Sequence, residues 1–239
     1  MNDEAKKPSS PRDILFPYQR RWADDASRWK FGLMSRQTGK DFCSAEEGIR
    51  DCFMHERNGG KTDWLIAAPS ERQSIESLAK WKEWTKAYNL AIADIREERQ
   101  GGSNTLLKSI TILFPKGSRV IAVPGRPDTV RGYSANVLLT EFAFFENPEQ
   151  TWRAIVPTVT NPLRGGLKKV RLITTPNGIN NKAHEIWAAN YNPPRPGPDG
   201  IPLNPKAGAG IAAPPENGPA ILLTFTPPSR RDCRSTLKS

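Results

Sequence analysis

The chain repeats one local pattern, in which a short apolar segment ends in a polar cluster and a helix-forming segment follows. Apolar segments of this kind cover residues 30–34, 62–68, 136–139 and 170–174. The first two lead into segments whose apolar residues have helical spacing. Strands that alternate with helices favour an α/β fold with a mostly parallel sheet flanked by helices.

Three of the polar clusters are expected to meet at one edge of that sheet. They are SRQTGKD (35–41), TEFAFFE (140–146) and TTPNG (174–178). Ligands in open α/β sheets bind beyond the carboxyl ends of the strands, where these clusters would lie. A further pair of apolar segments, 109–114 and 118–123, flanks a Pro-Lys-Gly turn and predicts a β-hairpin.

Proline divides the chain into a folded part and a tail. Eleven of the 22 prolines lie in the last 48 of the 239 residues. A segment so rich in Pro and Gly, with neither helical nor strand periodicity, is typical of flexible or polyproline-like chain. We therefore predict a flexible N-terminus at 1–13, one domain at 14–191, and a disordered tail at 192–239 that is also compatible with a truncation remnant.

Composition excludes several classes of protein. The sequence has neither the ~18–20-residue apolar run of a membrane helix nor the apolar core of a signal peptide, which predicts a cytoplasmic protein without membrane association. Its three cysteines and two histidines form no zinc pattern. The seven tryptophans are interpreted as core residues. A net charge of +10 favours a polyanionic partner such as nucleic acid, although a basic cluster such as 168–171 has the default interpretation of a solvated face.

The first polar cluster approximates the phosphate-binding pattern G-x-x-x-x-G-K-[ST]. Gly39 allows close backbone approach, Lys40 suits the β- and γ-phosphates, and the following helix N-terminus attracts anions. Met34 replaces the first glycine of the pattern, and Asp41 replaces the hydroxyl that would bind Mg²⁺. A basic surface turn remains the alternative interpretation. The candidate nucleotide-binding residues here are Ser35, Gln37, Thr38, Gly39, Lys40 and Asp41.

The second cluster supplies a candidate for the chemistry. Glu141 follows an apolar strand, where a carboxylate can activate a water molecule as a general base. The aspartate that usually precedes such a glutamate is absent, because position 140 is threonine. Asp41 and Thr140 are therefore the candidate Mg²⁺ ligands, and atypical or impaired handling of Mg·ATP is expected. Both clusters together predict a P-loop NTPase fold of the RecA/ASCE type.

Five segments in this order resemble the ATPase domain of tailed-phage terminase large subunits. The resemblance covers about residues 15–191. It implies an ATPase with ATP and Mg²⁺ as cofactors that moves double-stranded DNA into a procapsid, working in the bacterial cytoplasm as a homo-oligomeric ring with the procapsid portal and a small terminase subunit as partners. The segments are FPYQ (16–19), SRQTGK (35–40), VRGYSANVLLTEFAFFE (130–146), TWRAIVPTVTNP (151–162) and VRLITTPNGINNKAHEIW (170–187).

The resemblance assigns roles to residues on the nucleotide side of the site. Tyr18 and Gln19 match the adenine-recognition motif of the family, and a glutamine amide can both donate to and accept from the adenine edge. Arg36 matches an arginine that reaches the γ-phosphate. Glu141 matches the catalytic glutamate. For Gln19 and Arg36 an exposed surface role is the competing interpretation.

Further matches concern the coupling of hydrolysis to movement. Thr174, Thr175 and Asn177 match the coupling motif that senses the γ-phosphate, although TPNG is also a favourable turn sequence. Arg131 resembles an arginine that family members insert into the site of a neighbouring subunit, which makes it a third catalytic candidate. Arg126 competes for that role, and a plain surface role is open for both.

Two other functions and one missing activity complete the expectations. The first alternative is a helicase-like P-loop ATPase, and the second is a catalytically impaired nucleotide- or DNA-binding remnant. Terminase large subunits usually continue into a nuclease domain with clustered carboxylates, whereas the tail here holds only three acidic residues. Nuclease activity is therefore not expected, and a truncated or frame-shifted reading remains open.

Overall fold

The computed structural model describes residues 10–100, 107–160, 168–190 and 220–224. Its six helices are α1 (Pro17–Asp24), α2 (Lys40–Arg57), α3 (Glu71–Ala87), α4 (Pro127–Val130), α5 (Pro148–Thr160) and α6 (Lys182–Asn190), with 3-10 turns at Pro11–Ile14 and Phe142–Phe144. Its strands are β1 (Trp29–Met34), β2 (Asp63–Ala68), β3 (Asp94–Gln100), β4 (Leu107–Leu113), β5 (Arg119–Pro124), β6 (Asn136–Thr140), β7 (Val170–Thr174) and β8 (Ala220–Thr224).

All eight strands form one sheet in the order β3-β4-β5-β2-β6-β7-β1-β8. The five central strands, from β5 to β1, are parallel to their neighbours. The edges are antiparallel, because β3 and β4 extend the sheet beyond β5 and β8 pairs with β1. The predicted α/β fold with a mostly parallel sheet is confirmed, and so is the hairpin, which β4 and β5 form.

The core lies on both faces of the sheet, as expected when helices cover a parallel sheet on each side. Alternate residues of β2 show the division. Trp64 and Ile66 pack with residues of α2 and α3, whereas Leu65 and Ala67 pack with residues of α5. Five tryptophans have exposed fractions of 2% or less, which confirms their interpretation as core. They are Trp22, Trp29, Trp64, Trp81 and Trp84.

A buried ionic cluster ties α2 to the amino-terminal ends of β1 and β7. Glu47 of α2 accepts hydrogen bonds from Arg171 Nε and Nη2 at 2.9 and 2.6 Å, and from Lys30 Nζ at 2.9 Å. None of the three residues is more than 5% exposed. The interpretation of 168–171 as a solvated face is therefore wrong for Arg171, whose charge is neutralised inside the protein.

Both terminal regions of the chain contain a short regular element. Residues 11–13 of the segment predicted as a flexible N-terminus belong to a 3-10 turn, Pro11–Ile14, which is capped by Ser10. Within the region predicted as a tail, residues 220–224 form β8, which sequence periodicity did not indicate. The other residues of 192–239 and residues 1–9 lie outside the described part. Among the described residues, no helix is both long and apolar enough to cross a membrane.

Candidate nucleotide-binding site

The loop between β1 and α2 has the backbone shape of an anion-binding turn. Gln37 and Gly39 both have left-handed backbone angles, with φ of 60° and 69°. A Cβ atom on Gly39 would lie 2.5 Å from Gln19 Nε2, so only glycine fits there. Gly39 caps α2 without a side-chain hydrogen bond, which leaves the N–H groups of the first helical turn open to a ligand.

Two side chains of α1, those of Tyr18 and Gln19, fix this loop in place. The Tyr18 hydroxyl and Gln19 Nε2 both donate to the Thr38 carbonyl, at 2.8 and 2.9 Å. Gln19 Oε1 accepts from the N–H of Phe16 at 3.0 Å, and the side chain is 4% exposed. The amide therefore uses one donor and one acceptor position within the chain. Its predicted contact with adenine stays a prediction.

Lys40, Glu141 and Thr175 meet at the carboxyl ends of three strands. Lys40 Nζ lies 2.7 Å from Glu141 Oε1. Glu141 Oε2 accepts from the backbone N–H and the hydroxyl of Thr175, at 3.0 and 2.9 Å. Burial alone would raise the pKa of Glu141, but the hydrogen bonds from Lys40 and Thr175 outweigh it and lower the pKa. The carboxylate is thus held charged beside the lysine.

Asp41 and Thr140 form a second pair beside the first. Thr140 Oγ1 donates to Asp41 Oδ1 at 2.7 Å, and Ser77 Oγ of α3 donates to the same oxygen at 3.2 Å. Burial raises the pKa of Asp41, and the charge of Glu141 adds to this effect, against the hydrogen bonds from Thr140 and Ser77 and the charge of Lys40. The two residues predicted to bind a metal are therefore in direct contact.

The TTPNG segment supports the turn that carries Glu141. Thr174 Oγ1 accepts from the N–H of Ala143 at 3.2 Å, and Asn177 Nδ2 donates to the carbonyl of Ala143 at 2.9 Å. Glu141 itself has a left-handed φ of 53° at the start of the turn. A movement of Thr174 or Asn177 would thus shift the turn that carries the Glu141 carboxylate.

A cavity of about 240 Å³ opens beside the two pairs. Sequence reasoning missed the α3 residues on its wall, because it considered only the apolar stripe of that helix. Ser77 lies four residues before the buried Trp81, so the two residues lie on the same face of α3. This spacing is the sequence signal that could have indicated Ser77. The cavity is lined by Asp41, Gln73, Glu76, Ser77, Lys80, Thr140 and Glu141.

Four other candidates do not join these contacts. Ser35, Arg36 and Gln37 are exposed on the loop. Arg131 is 66% exposed, and its recorded ion pair is a 4.0 Å contact with Asp128. No contact found within the described residues links Arg131 to Lys40, Asp41 or Glu141. Its role in a neighbouring subunit's site stays a prediction.

The donor set at Asp41 and Thr140 suits a hard cation. Mg²⁺ prefers oxygen ligands and is usually held by one or two carboxylates together with substrate phosphates and water. A carboxylate and a hydroxyl next to the candidate phosphate-binding loop meet that requirement. No cluster of three or more His, Cys, Asp or Glu residues suited to a metal occurs in the described ranges.

Comparison with known proteins identifies relatives of this chain. Over 181 residues the chain is 28% identical to the Mu-like prophage FluMu protein gp28 of Haemophilus influenzae, covering 75% of this chain and 34% of that protein. Over 182 residues it is 29% identical to the probable terminase large subunit gp28 of Escherichia phage Mu, covering 74% and 32%. The chain is similar to phage terminase large subunits. The matched region spans about a third of these relatives.

A solved structure extends this similarity to the fold. The large terminase ATPase domain of Thermus phage P74-26 matches with a TM-score of 0.50 and 20% identity, covering 74% of this chain and 71% of that one. No protein-family profile matches the chain. The terminase likeness predicted from the five segments is thus confirmed by the curated relatives, and the α/β architecture by the solved structure.

Proposed function

We propose that this chain binds and hydrolyses ATP as the ATPase part of a phage DNA-packaging motor. The observation that carries the proposal is the junction of Lys40, Glu141 and Thr175 at the ends of three parallel strands. A cation, a carboxylate and a hydroxyl held together beside a phosphate-binding loop are the groups that phosphoryl transfer to water requires.

Each group has a task that follows from its surroundings. The open N–H groups of α2 and the Lys40 ammonium bind the phosphates, and Arg36 reaches the γ-phosphate from the exposed loop. Glu141 orients and deprotonates the attacking water. Asp41 and Thr140 hold Mg²⁺, which would neutralise phosphate charge when bound. Thr174, Thr175 and Asn177 transmit the state of the site to the rest of the chain through the turn after β6.

The relation between Lys40 and Glu141 suggests how binding starts the cycle. In the structure the ammonium is paired with the carboxylate, which occupies one of its three donor positions. A triphosphate would compete for the ammonium with its own dense negative charge and would release Glu141 toward water. Hydrolysis would thus be confined to the nucleotide-bound state.

The wider motor function rests on the relatives and on charge. One curated relative is named a probable terminase large subunit. The net charge of +10 suits sequence-independent contact with the phosphates of double-stranded DNA. A ring of copies on the procapsid portal, fed by a small terminase subunit, would let the exposed Arg131 of one copy act in the site of the next.

Phosphate release from ATP, with and without double-stranded DNA, tests the proposal. Lys40→Ala should reduce turnover to background, because it removes both the phosphate ligand and the partner of Glu141. Lys86→Ala removes an equal charge from the exposed side of α3 and should leave turnover unchanged. Equal turnover in the parent chain and the Lys40→Ala variant would reject the ATPase assignment.

A further inference from the structure

The metal-binding pair of this site has its two side chains exchanged between helix and strand. P-loop NTPases hold Mg²⁺ with a Ser or Thr that follows the P-loop lysine and with an Asp at the end of a neighbouring strand. Here the residue after Lys40 is Asp41, and the residue before Glu141 is Thr140. Taken one at a time, each looks like the loss of a ligand.

The structure brings the two substitutions together. Thr140 Oγ1 lies 2.7 Å from Asp41 Oδ1, although 99 residues separate them in the chain. The site thus contains one carboxylate and one hydroxyl in hydrogen-bond contact, which is the same chemical inventory as the usual pair. Only the element that carries each group has changed.

We propose that Asp41 and Thr140 form a role-reversed Mg²⁺ site, with the charged ligand on α2 and the neutral hydroxyl on β6. This inference rests on the proposed binding of a nucleotide. It opposes the expectation that the two departures impair metal handling, because each substitution compensates the other. The pair would bind Mg²⁺ together with phosphate oxygens of the nucleotide.

The surroundings of Asp41 support a ligand role. Both recorded hydrogen bonds to the carboxylate, from Thr140 and Ser77, reach Oδ1. Within the described residues no hydrogen bond to Oδ2 is found, and Asp41 lines the 240 Å³ cavity together with Thr140 and Glu141. One oxygen therefore accepts from two hydroxyls, and in the proposal the other oxygen binds the cation.

A purely structural role is the competing explanation. Asp41 lies in the first turn of α2, where a carboxylate interacts favourably with the helix dipole. Its hydrogen bonds to Thr140 and Ser77 also connect α2 with β6 and α3. In that case removing the negative charge would lower stability without changing the affinity for a metal.

Mn²⁺ titration followed by electron paramagnetic resonance separates the two explanations. The titration uses the full chain with a non-hydrolysable ATP analogue, and calorimetry of the analogue in EDTA measures metal-free binding. Asp41→Asn keeps the shape and the hydrogen-bond acceptor but removes the charge. It should weaken Mn²⁺ binding to the ternary complex by at least about tenfold, the lower end of losses seen even for outer-shell changes, and leave metal-free binding unchanged.

A double variant that exchanges the two side chains, called the reversal variant, gives the stricter test. Asp41→Thr combined with Thr140→Asp restores the usual placement and should recover Mn²⁺ affinity that Asp41→Thr alone loses. Thr140→Asp alone places two carboxylates in contact and should lower the melting temperature unless metal and analogue are present. Asp94→Asn makes the same change of charge on the edge strand β3, where Asp94 is about half exposed and pairs with Arg96, and it serves as the control with unchanged Mn²⁺ affinity.

The outcomes are distinguishable. Unchanged Mn²⁺ affinity in Asp41→Asn would overturn the proposal in favour of the structural role. A folded reversal variant that binds Mn²⁺ as weakly as Asp41→Thr would overturn it as well. Should the reversal variant fail to fold, Asp41→Asn decides. A parent chain that binds no analogue under any condition would instead reject the proposed function on which the inference rests.

Discussion

Replacing Glu47 with glutamine would leave two buried cations without their counter-charge. Glu47 accepts hydrogen bonds from Arg171 and Lys30, and all three side chains are almost completely buried. Glutamine has nearly the same shape, so the substitution removes charge and little else. Since the cluster joins α2 to the amino-terminal ends of β1 and β7, its loss tests how the sheet holds the helix that begins at the proposed phosphate-binding loop.

The expected loss follows from the burial of the cluster. Removing one partner of a buried ion pair typically costs about 3–5 kcal/mol, because the remaining charges stay desolvated. In a domain of this size each kcal/mol lowers the melting temperature by roughly 2–4 °C, so the expected decrease is roughly 6–20 °C. Nucleotide affinity of the folded variant should stay near that of the parent, because the cluster lies at the end of the sheet opposite Lys40.

The pH dependence of stability gives a second measurement. Burial would raise the pKa of Glu47, but the charges of Arg171 and Lys30 outweigh it and lower the pKa below its ordinary value. A carboxylate with a lowered folded-state pKa stabilises the protein above its unfolded-state pKa, and this contribution disappears as the pH falls through the folded-state value. Glu47→Gln should therefore flatten the acid limb of the stability curve.

Thermal melts followed by circular dichroism, from pH 3 to 8, measure both effects. Glu83→Gln is the matched control, because Glu83 pairs with Lys80 at 3.3 Å on the surface, where both side chains are about half exposed. Such exposed pairs contribute about 0–1 kcal/mol. If Glu47→Gln lowered the melting temperature no more than this control, the buried cluster would not have the energetic role argued from its geometry.

Two further predictions concern the site itself. Gly39→Ala should lower the free energy of unfolding by about 1–3 kcal/mol and weaken nucleotide binding, since it adds strain from the left-handed backbone angle and a clash with Gln19. The control is Gly59→Ala, because Gly59 has a φ of 77° and open space around its Cβ position. This variant should show the backbone strain but no loss of nucleotide binding in calorimetry. Glu141→Gln should reduce turnover by about 10²–10⁴ while nucleotide affinity is kept or improved, because the Lys40 ammonium loses a competitor. Single-turnover assays measure the first effect and calorimetry the second, and parallel losses in both would contradict a general-base role.

The central sheet could be predicted from sequence because its signals are local. Apolar segments followed by polar clusters mark β1, β2, β6 and β7, and the alternation around the Pro-Lys-Gly turn marks the hairpin. β3 escaped prediction because DIREERQ is almost entirely polar, which an edge strand tolerates and a buried one does not. Such a strand is defined by its partner and not by its own side chains.

The site was predictable in its members and not in its contacts. Lys40 and Glu141 follow recognisable strand ends, so their proximity could be expected. The compensation between Asp41 and Thr140 could not, since it depends on a hydrogen bond between residues far apart in the chain. Arg171 shows the same limit, because it lies two residues after a pair of lysines in a segment with the composition of a surface, and only the fold brings Glu47 to it.

The position of β7 between β6 and β1 has a mechanical consequence for the site. Lys40 and Glu141 extend from strands that are two spacings apart, or about 9–10 Å, and β7 is hydrogen-bonded to both. The middle strand β7 therefore sets the distance between β6 and β1, and Thr175 directly follows its carboxyl end. Because both strands are hydrogen-bonded to β7, we expect the contact between lysine and glutamate to open by side-chain rotation or by movement of the two loops that carry these residues.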